Sequence, residues 1–301
     1  MTDIASWIAV DWGTSNMRAW VIGPDDTVIA TPTSDQGMGV LTREGFEPAL
    51  LDLVGSYLPQ SGKVPVIACG MVGARQGWIE APYVATPCTA PGLAEAARPE
   101  VSDPRLDVRI LPGVKQMDPP DVMRGEETQI AGFLADNPDF DGVLCLPGTH
   151  TKWVHVSARE MVSFRTFMTG ELFALLSRHS VLRFSVGGDG WDDAAFRDGV
   201  NDALSSPQNL TTWLFSLRAG TLVNDTPADV SRARLSGMLL GLELAGSRAY
   251  WLGRDIAIVG DPKLTALYRA ALDMAGAPAR ELVGDDIALA GLKAAFKESD
   301  T

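Results

Sequence analysis

The chain has 301 residues, enough for two domains or one large one, and its 46% hydrophobic content is ample for buried cores. A formal charge of −13 and an isoelectric point near 4.6 exclude a surface built for nucleic acid or anionic membrane, which reward dense Lys and Arg. Any anionic ligand must therefore be held by local groups.

In chain order, Trp7 to Val21 reads as a strand, a tight polar turn and a returning strand. Ile8 and Val10 lie on one side, Gly13-Thr14-Ser15-Asn16 makes the corner, and Met17, Ala19 and Val21 alternate with Arg18 and Trp20. Asp11 stands at the strand end. Such a turn can offer backbone N–H groups and hydroxyls to an anion while the carboxylate faces a cation that the anion carries, so phosphate with magnesium is the expected guest. Thr27 to Ala30 is a third expected strand, and Glu44 to Tyr57 carries Phe46, Leu50, Leu51 and Val54 at helical spacing. Val64 to Ala68 is a buried strand ending in Cys69-Gly70-Met71-Val72-Gly73, a glycine-rich loop that is either a site wall or only a tight turn.

Pro82 to Asp107 is expected to be loop with one short helix, Val108 to Leu111 a strand, and Pro112 to Pro120 a long turn. Val122-Met123-Arg124-Gly125-Glu126-Glu127-Thr128-Gln129 then opens an apolar helix. Two acids at a helix start either serve the macrodipole or include a general base.

The second half repeats the first. Gly142 to Leu146 runs into Pro147-Gly148-Thr149-His150, and Thr151-Lys152-Trp153 starts the return, with Leu146 where the first hairpin has Asp11. The first turn can hold a metal; the second can hold only phosphate. Glu160 to Phe164 is a short strand, Thr169 or Gly170 an N-cap, and the helix after it reaches Leu182. Trp191 to Leu204, Leu210 to Arg218 and Ala228 to Leu252 form a helical block; the most apolar stretch, Leu235 to Ala245, contains Glu243 and is too short and polar to span a bilayer. Asp255 to Val259 is a strand, Gly260 follows, and Asp261 with Pro262 should cap and start the next helix, a floor suited to a nucleotide. Asp285 to Phe296 is the last helix.

Walker, dinucleotide-binding, nucleophile-elbow and zincin motifs are absent. His150, His155 and His179 are too irregularly spaced for zinc; His150 stands out by its place in the turn. Cys69, Cys88 and Cys145 lack C-x-x-C spacing and read as reduced thiols, and the N-terminus has no signal-peptide pattern, so a cytoplasmic location is expected.

The two hairpins, the acidic helix start and the late strand-Gly-helix resemble the phosphate and adenosine elements of the actin-like ATPase superfamily, which includes sugar kinases. More closely, Ala9-Val10-Asp11-Trp12-Gly13-Thr14-Ser15-Asn16, Gly70-Met71-Val72-Gly73, Met123-Arg124-Gly125-Glu126-Glu127-Thr128-Gln129, Pro147-Gly148-Thr149-His150-Thr151-Lys152-Trp153 and Phe164-Arg165-Thr166-Phe167-Met168-Thr169-Gly170-Glu171 resemble the signature blocks of the 2-dehydro-3-deoxygalactonokinase family, in order from about Trp7 to Phe296.

That resemblance implies an α/β, two-domain, ribonuclease H-like fold with a cleft between an N-terminal domain (1–140, completed by 285–301) and a nucleotide-binding domain (141–284). It implies transfer of the ATP γ-phosphate to the terminal hydroxyl of 2-dehydro-3-deoxy-D-galactonate, a phosphotransfer to an alcohol group. Asp11 is assigned to Mg2+, and Gly13, Thr14, Ser15, Gly148, Thr149, His150, Lys152 and Gly260 to ATP. Glu127 is the first choice of base and Glu126 the second; the Asp-Thr of hexokinase-like members is Glu127-Thr128 here. Gly70, Met71 and Thr169 are acceptor-site candidates, and Arg18, Arg124 and Arg165 are candidates for the acceptor carboxylate. The expected partner is a small sugar acid, without nucleic acid or membrane; a homodimer rests on base rates alone. The rivals are a kinase for another sugar acid or pantothenate, a non-catalytic sugar sensor of the same fold, and an ATP hydrolase.

Overall fold

A computed structural model describes residues 4–283 and 285–297; residues 1–3, 284 and 298–301, which the expected domains include, lie outside the described residues. The chain forms two compact units. One comprises the chain up to Phe140, Ser157–Ser163 and the C-terminal stretch; the other comprises Asp141–Val156 and Phe164–Val283.

The first unit opens with β1 (Trp7–Trp12) and β2 (Met17–Ile22), an antiparallel hairpin, followed by the short strands β3 (Val28–Ala30) and β4 (Thr33–Ser34). After α1 (Phe46–Val54), strand β5 (Val64–Gly70) lies parallel to β1. β1 and β5 are buried on both faces, as their continuous apolar runs dictate for central strands. Ile8, Val10, Val66 and Ala68 pack against Phe46 and Leu50 of α1, while Ala9, Ile67 and Cys69 point to the opposite face.

Next come β6 (Tyr83–Ala85), β7 (Leu106–Ile110), β8 (Gly113–Met117), β9 (Pro120–Met123) and α2 (Glu126–Asp136). The expected turn over Pro112–Pro120 is overturned here. β8 and β9 pair with each other, and β8 also takes β6 from some thirty residues upstream, giving a separate small sheet in order β6-β8-β9. Three prolines hide short strands whose partner is remote in sequence; Pro120 sits at a strand's first position, where proline is tolerated.

The second unit is built the same way. β10 (Gly142–Leu146) and β11 (Thr151–Ser157) form its hairpin, and β12 (Glu160–Phe167) extends three residues beyond the expected Phe164. The helical block is α3 (Thr169–His179), α4 (Asp193–Ser205), α5 (Leu210–Val223), α6 (Ala228–Gly246) and α7 (Arg248–Trp251). The expected Ala228–Leu252 helix is thus broken at Ser247, and the helix starting at Thr169 stops at Ser180 rather than Leu182. Then follow β13 (Ile256–Gly260), α8 (Pro262–Met274), β14 (Ala279–Val283) and α9 (Asp285–Lys297). β14 has no sequence signature because Arg280 and Glu281 interrupt it; Arg280 pairs with Asp255 and Glu281 with Arg269, each across the sheet's edge elements.

The sheets run β3-β2-β1-β5-β7 and β12-β11-β10-β13-β14, so the same sequence of roles is played twice, hairpin first and parallel strands after. α9 returns to the first unit, where Ala288, Leu292 and Ala295 cover Cys69 and Ile67, and Phe296 stacks on Trp7 at 4.3 Å. α9 also meets α2 backbone to backbone. A side chain at Gly132 would strike the Ile287 carbonyl, and one at Gly291 would strike the Thr128 carbonyl. No described helix is long and apolar enough to cross a membrane.

Candidate functional site

In the first unit the candidate residues gather at the carboxyl ends of β1 and β5 and at the start of α2. Asp11 lies opposite Arg18 across the hairpin and beside Cys69 on β5, whose Sγ is 3.9 Å from Asp11 Oδ1. The turn beyond it is tight, with Gly13 N–H donating to the Asn16 carbonyl at 2.9 Å, and it leaves Thr14 and Ser15 exposed. Gly37 supports it from behind, so close that a Cβ there would collide with the Thr14 carbonyl and the Ser15 backbone.

Gly70 and Gly125 both have positive φ, 91° and 107°, and their backbones touch: a Cβ at Gly125 would stand 3.3 Å from Gly70 Cα, and one at Gly70 2.8 Å from the Trp12 carbonyl oxygen. Only glycine lets the start of α2 approach β1 and β5 this closely. Met71 is half-buried and opens the short turn after β5.

The approach distinguishes the two glutamates. Glu126 is half-buried and accepts from the Arg124 backbone N–H at 3.0 Å. Glu127 is 1% exposed; both its oxygens lie 2.8 Å from Gly125 N, and the Thr128 hydroxyl donates to it at 3.3 Å. Burial, with Glu126 nearby, raises its carboxyl from the usual 4.5 to about 7, against the opposing pull of the Gly125 N–H and of Arg124. Burial and the neighbouring charges of Asp11 and Glu127 hold the Cys69 thiol well above its usual range, so Cys69 separates the acids as a neutral group.

Of the arginine candidates, Arg18 spreads over the Trp20 ring at 5.7 Å, and Arg165 is half-buried on β12 in the other unit. Arg124 differs. It is buried, it lies 4.2 Å from the Tyr83 ring centroid, and its Nη2 donates to the Ala81 carbonyl at 2.8 Å, yet its Nε and Nη1 have no hydrogen-bond partner among the described residues. Leaving guanidinium N–H groups unpaired in a dry site costs about 1–3 kcal/mol each, which a carboxylate guest would recover.

In the second unit Gly148, Thr149 and His150 form the β10–β11 turn. Thr149 and His150 are exposed, and His150 Nε2 is 2.5 Å from Glu171. Gly170 buttresses this turn: a Cβ there would collide with the Gly148 carbonyl and stand 2.9 Å from Thr149 Cα. Lys152 is buried and donates to the His150 carbonyl at 3.2 Å. Gly260 reaches the same turn, where a Cβ would stand 3.4 Å from the Pro147 carbonyl oxygen. Asp261 caps α8 as expected, accepting from Lys263 and Leu264 N–H at 2.9 and 3.2 Å, so those donors are already occupied. Thr169 is the first residue of α3, not its cap; Met168 precedes it, and the Thr169 hydroxyl donates to Glu243. A cavity of about 230 Å³ adjoins these residues, lined by Gly148, Thr169, Gly170, Leu264, Leu267 and Tyr268.

Sequence reasoning does not find Cys69 as the spacer between acids, nor Glu243 as a residue of this region. A signal for Glu243 is present, a lone acid in the most apolar helix of the chain.

Comparison with known proteins gives the family. The family model described as 2-keto-3-deoxy-galactonokinase matches residues 11–295. A Rhizobium meliloti (strain 1021) protein, named as a probable 2-dehydro-3-deoxygalactonokinase, is 43% identical over 99% of this chain and 98% of its own. The Escherichia coli (strain K12) protein named 2-dehydro-3-deoxygalactonokinase is 34% identical over 96% of this chain and 97% of its own. A crystal structure from Sinorhizobium meliloti, described as a candidate 2-dehydro-3-deoxygalactonokinase, superposes with a TM-score of 0.90 at 42% identity, covering 97% of this chain and 99% of that one.

Proposed function

The chain belongs to the 2-keto-3-deoxy-galactonokinase family and has the actin-like ATPase fold, and from that premise we propose that it phosphorylates the terminal (6-) hydroxyl of 2-dehydro-3-deoxy-D-galactonate with ATP. The observation that carries the reading is Glu127, a carboxyl buried at a helix start against the Gly125 N–H, its pKa pushed up to about 7 by that burial. Phosphoryl transfer needs positioning, charge neutralisation and a group to take the acceptor's proton. A carboxylate with that protonation range can take the proton as the hydroxyl oxygen bonds to phosphorus, and release it afterwards.

Arg124 supplies the cation for the acceptor's carboxylate, because its buried guanidinium has two nitrogens with N–H groups to spare among the described residues. Its planar fork suits a carboxylate held by parallel bonds. Gly148, Thr149 and Lys152 serve phosphate in the second unit, where the adjoining cavity of about 230 Å³ takes the adenine, and the Gly13–Thr14–Ser15 turn of the first unit is by itself suited to phosphate. Magnesium fits Asp11. Among the described residues no three His, Cys, Asp or Glu side chains form a metal cage, and a nucleotide-borne Mg2+ needs only one or two carboxylates besides phosphate oxygens and water. Bound there, the ion would neutralise phosphate charge.

The test is a coupled ADP-release assay with Mg2+ and ATP against 2-dehydro-3-deoxygalactonate, its gluconate epimer, galactonate, pantothenate and buffer. Turnover confined to 2-oxo-3-deoxy acids supports the reading. Equal turnover with pantothenate, or with buffer alone, overturns it.

A further inference from the structure

Glu243 is an acid in the wrong place for an ordinary apolar helix. It is 2% exposed on α6, next to the buried Leu240 and Leu244. Its Oε1 accepts from Trp153 Nε1 at 2.8 Å; its Oε2 accepts from the Tyr268 hydroxyl at 2.8 Å and from the Thr169 hydroxyl. Thr151 Oγ1 lies 2.7 Å from the Tyr268 hydroxyl and completes the cluster.

The partners come from three elements that matter for the second unit's turn. Thr151 and Trp153 flank Lys152 on the strand leaving it. Thr169 opens α3 beside Gly170, whose bare Cα touches the turn from the other side. Tyr268 is on α8 and walls the cavity of about 230 Å³ together with Gly148 and Thr169. One buried carboxylate therefore joins the strand after the turn, the helix that buttresses the turn and the wall of the cavity.

We propose that Glu243 is a positioning residue for nucleotide binding: through Trp153, Thr169 and Tyr268 it fixes the Gly148–Lys152 turn relative to the apolar cavity. The proposal rests on the reading that this unit takes the adenine nucleotide. A carboxylate is needed because an apolar residue of the same size would strand an indole N–H and two hydroxyl donors. An amide could still accept from Trp153, but its NH2 would have to face hydroxyls that now donate, forcing them to turn. Glu243→Gln is thus compatible with folding while disturbing the arrangement.

The experiment uses the full chain and the variants Glu243→Gln and Trp153→Phe. The KM values for ATP and for the sugar acid, kcat, ADP affinity by calorimetry and the melting temperature are measured for each, and the parent is photolabelled with an azido-adenine nucleotide and peptide-mapped. The expected result for Glu243→Gln is a rise of about five-fold or more in ATP KM and ADP Kd, with the sugar-acid KM within about two-fold and the melting temperature close to the parent's. An unchanged ATP KM in the folded variant, or equal rises in both KM values, overturns the proposal. Should Glu243→Gln not fold, Trp153→Phe decides, because it removes a donor to Glu243 from a residue that does not line the cavity: a selective ATP KM rise supports the proposal, and an unchanged ATP KM overturns it. Labelling at the peptides carrying Gly148, Thr169 and Tyr268, without a KM effect, overturns the positioning role alone. Labelling confined to other peptides overturns the nucleotide reading, and the proposal with it.

Discussion

The β1–β2 and β10–β11 hairpins share a plan and differ in what stands at the strand end. Each runs an apolar strand into a glycine-containing polar turn, each strand then pairs in parallel with a later one, and each turn rests on a glycine from elsewhere, Gly37 or Gly170. In the first, Asp11 faces Arg18 across the ladder; in the second, Leu146 faces Lys152. The difference separates two tasks that one scaffold can perform. A turn with an acid at its strand end can take a cation along with its anion; at the second turn the strand end carries Leu146, and the nearby acid, Glu171, is held by His150.

The two buried glutamates extend the contrast. Glu127 and Glu243 are both pushed up to about 7, chiefly because burial disfavours the charged form. Glu127 uses its acceptor capacity on one backbone N–H and one neighbouring hydroxyl, at a helix start. Glu243 is saturated by an indole and two hydroxyls in mid-helix. The first has capacity left for a substrate proton; the second is committed to structure.

Substitutions at both hairpins and at the first glutamate probe these contrasts. Glu127→Gln should be the most damaging, because it removes the proposed base; kcat should fall by about 10³-fold with little change in ATP KM, read by steady-state kinetics. A loss of under about ten-fold, with a large loss in Glu126→Gln instead, would move the base to Glu126.

Moving the acid tests whether the two turns are interchangeable. Leu146 is 3% exposed in an apolar strand, so Leu146→Asp buries a carboxylate and should cost about 3 kcal/mol or more, measured by urea unfolding. A stable variant would show that the second turn tolerates the chemistry of the first.

Glu127 also makes two opposite pH predictions. As a base it must be ionised, so kcat/KM should fall about ten-fold per pH unit below about 7. For stability the sign reverses. A carboxyl whose folded value lies above its unfolded value holds its proton better when folded, so its contribution is full below about 4.5 and is lost as pH rises through about 7. The difference is worth about 3 kcal/mol. Relative to the parent, Glu127→Gln should therefore gain stability between about pH 4 and pH 8, and a parallel pair of stability profiles would contradict the burial argument.

Milder effects are expected at the buttresses. Gly37→Ala and Gly170→Ala each force a methyl against a turn backbone and should cost about 1–3 kcal/mol while raising ATP KM. If only Gly170→Ala affects ATP KM, the first turn serves something other than nucleotide phosphate.

Much of the fold is legible in the sequence because its punctuation is local. Ile8, Val10, Met17 and Ala19 alternate around a four-residue corner, and Asp261-Pro262 starts α8 where the capping rule puts it. The small sheet β6-β8-β9 is not legible, since its strands are short, interrupted by proline and paired across a long insertion. β14 is hidden by its charged residues, whose partners Asp255 and Arg269 are set by the sheet edge. Thr169 looks like a cap from its neighbours, but its hydroxyl is claimed by Glu243, 74 residues away.

The acidic charge, the repeated hairpin plan, the place of Asp11 and the pair Glu126-Glu127 at a helix start all follow from composition or from neighbours within a few residues, and so were settled by the amino-acid order itself. Which acid is dry was settled only by folding. Glu127 is buried because Gly70 and Gly125 let backbones meet and Gly291 brings α9 onto Thr128, while Glu126, one residue away, stays half-exposed. Desolvation is the sum of everything packed around a group, and those neighbours come from β1, β5 and the far end of the chain.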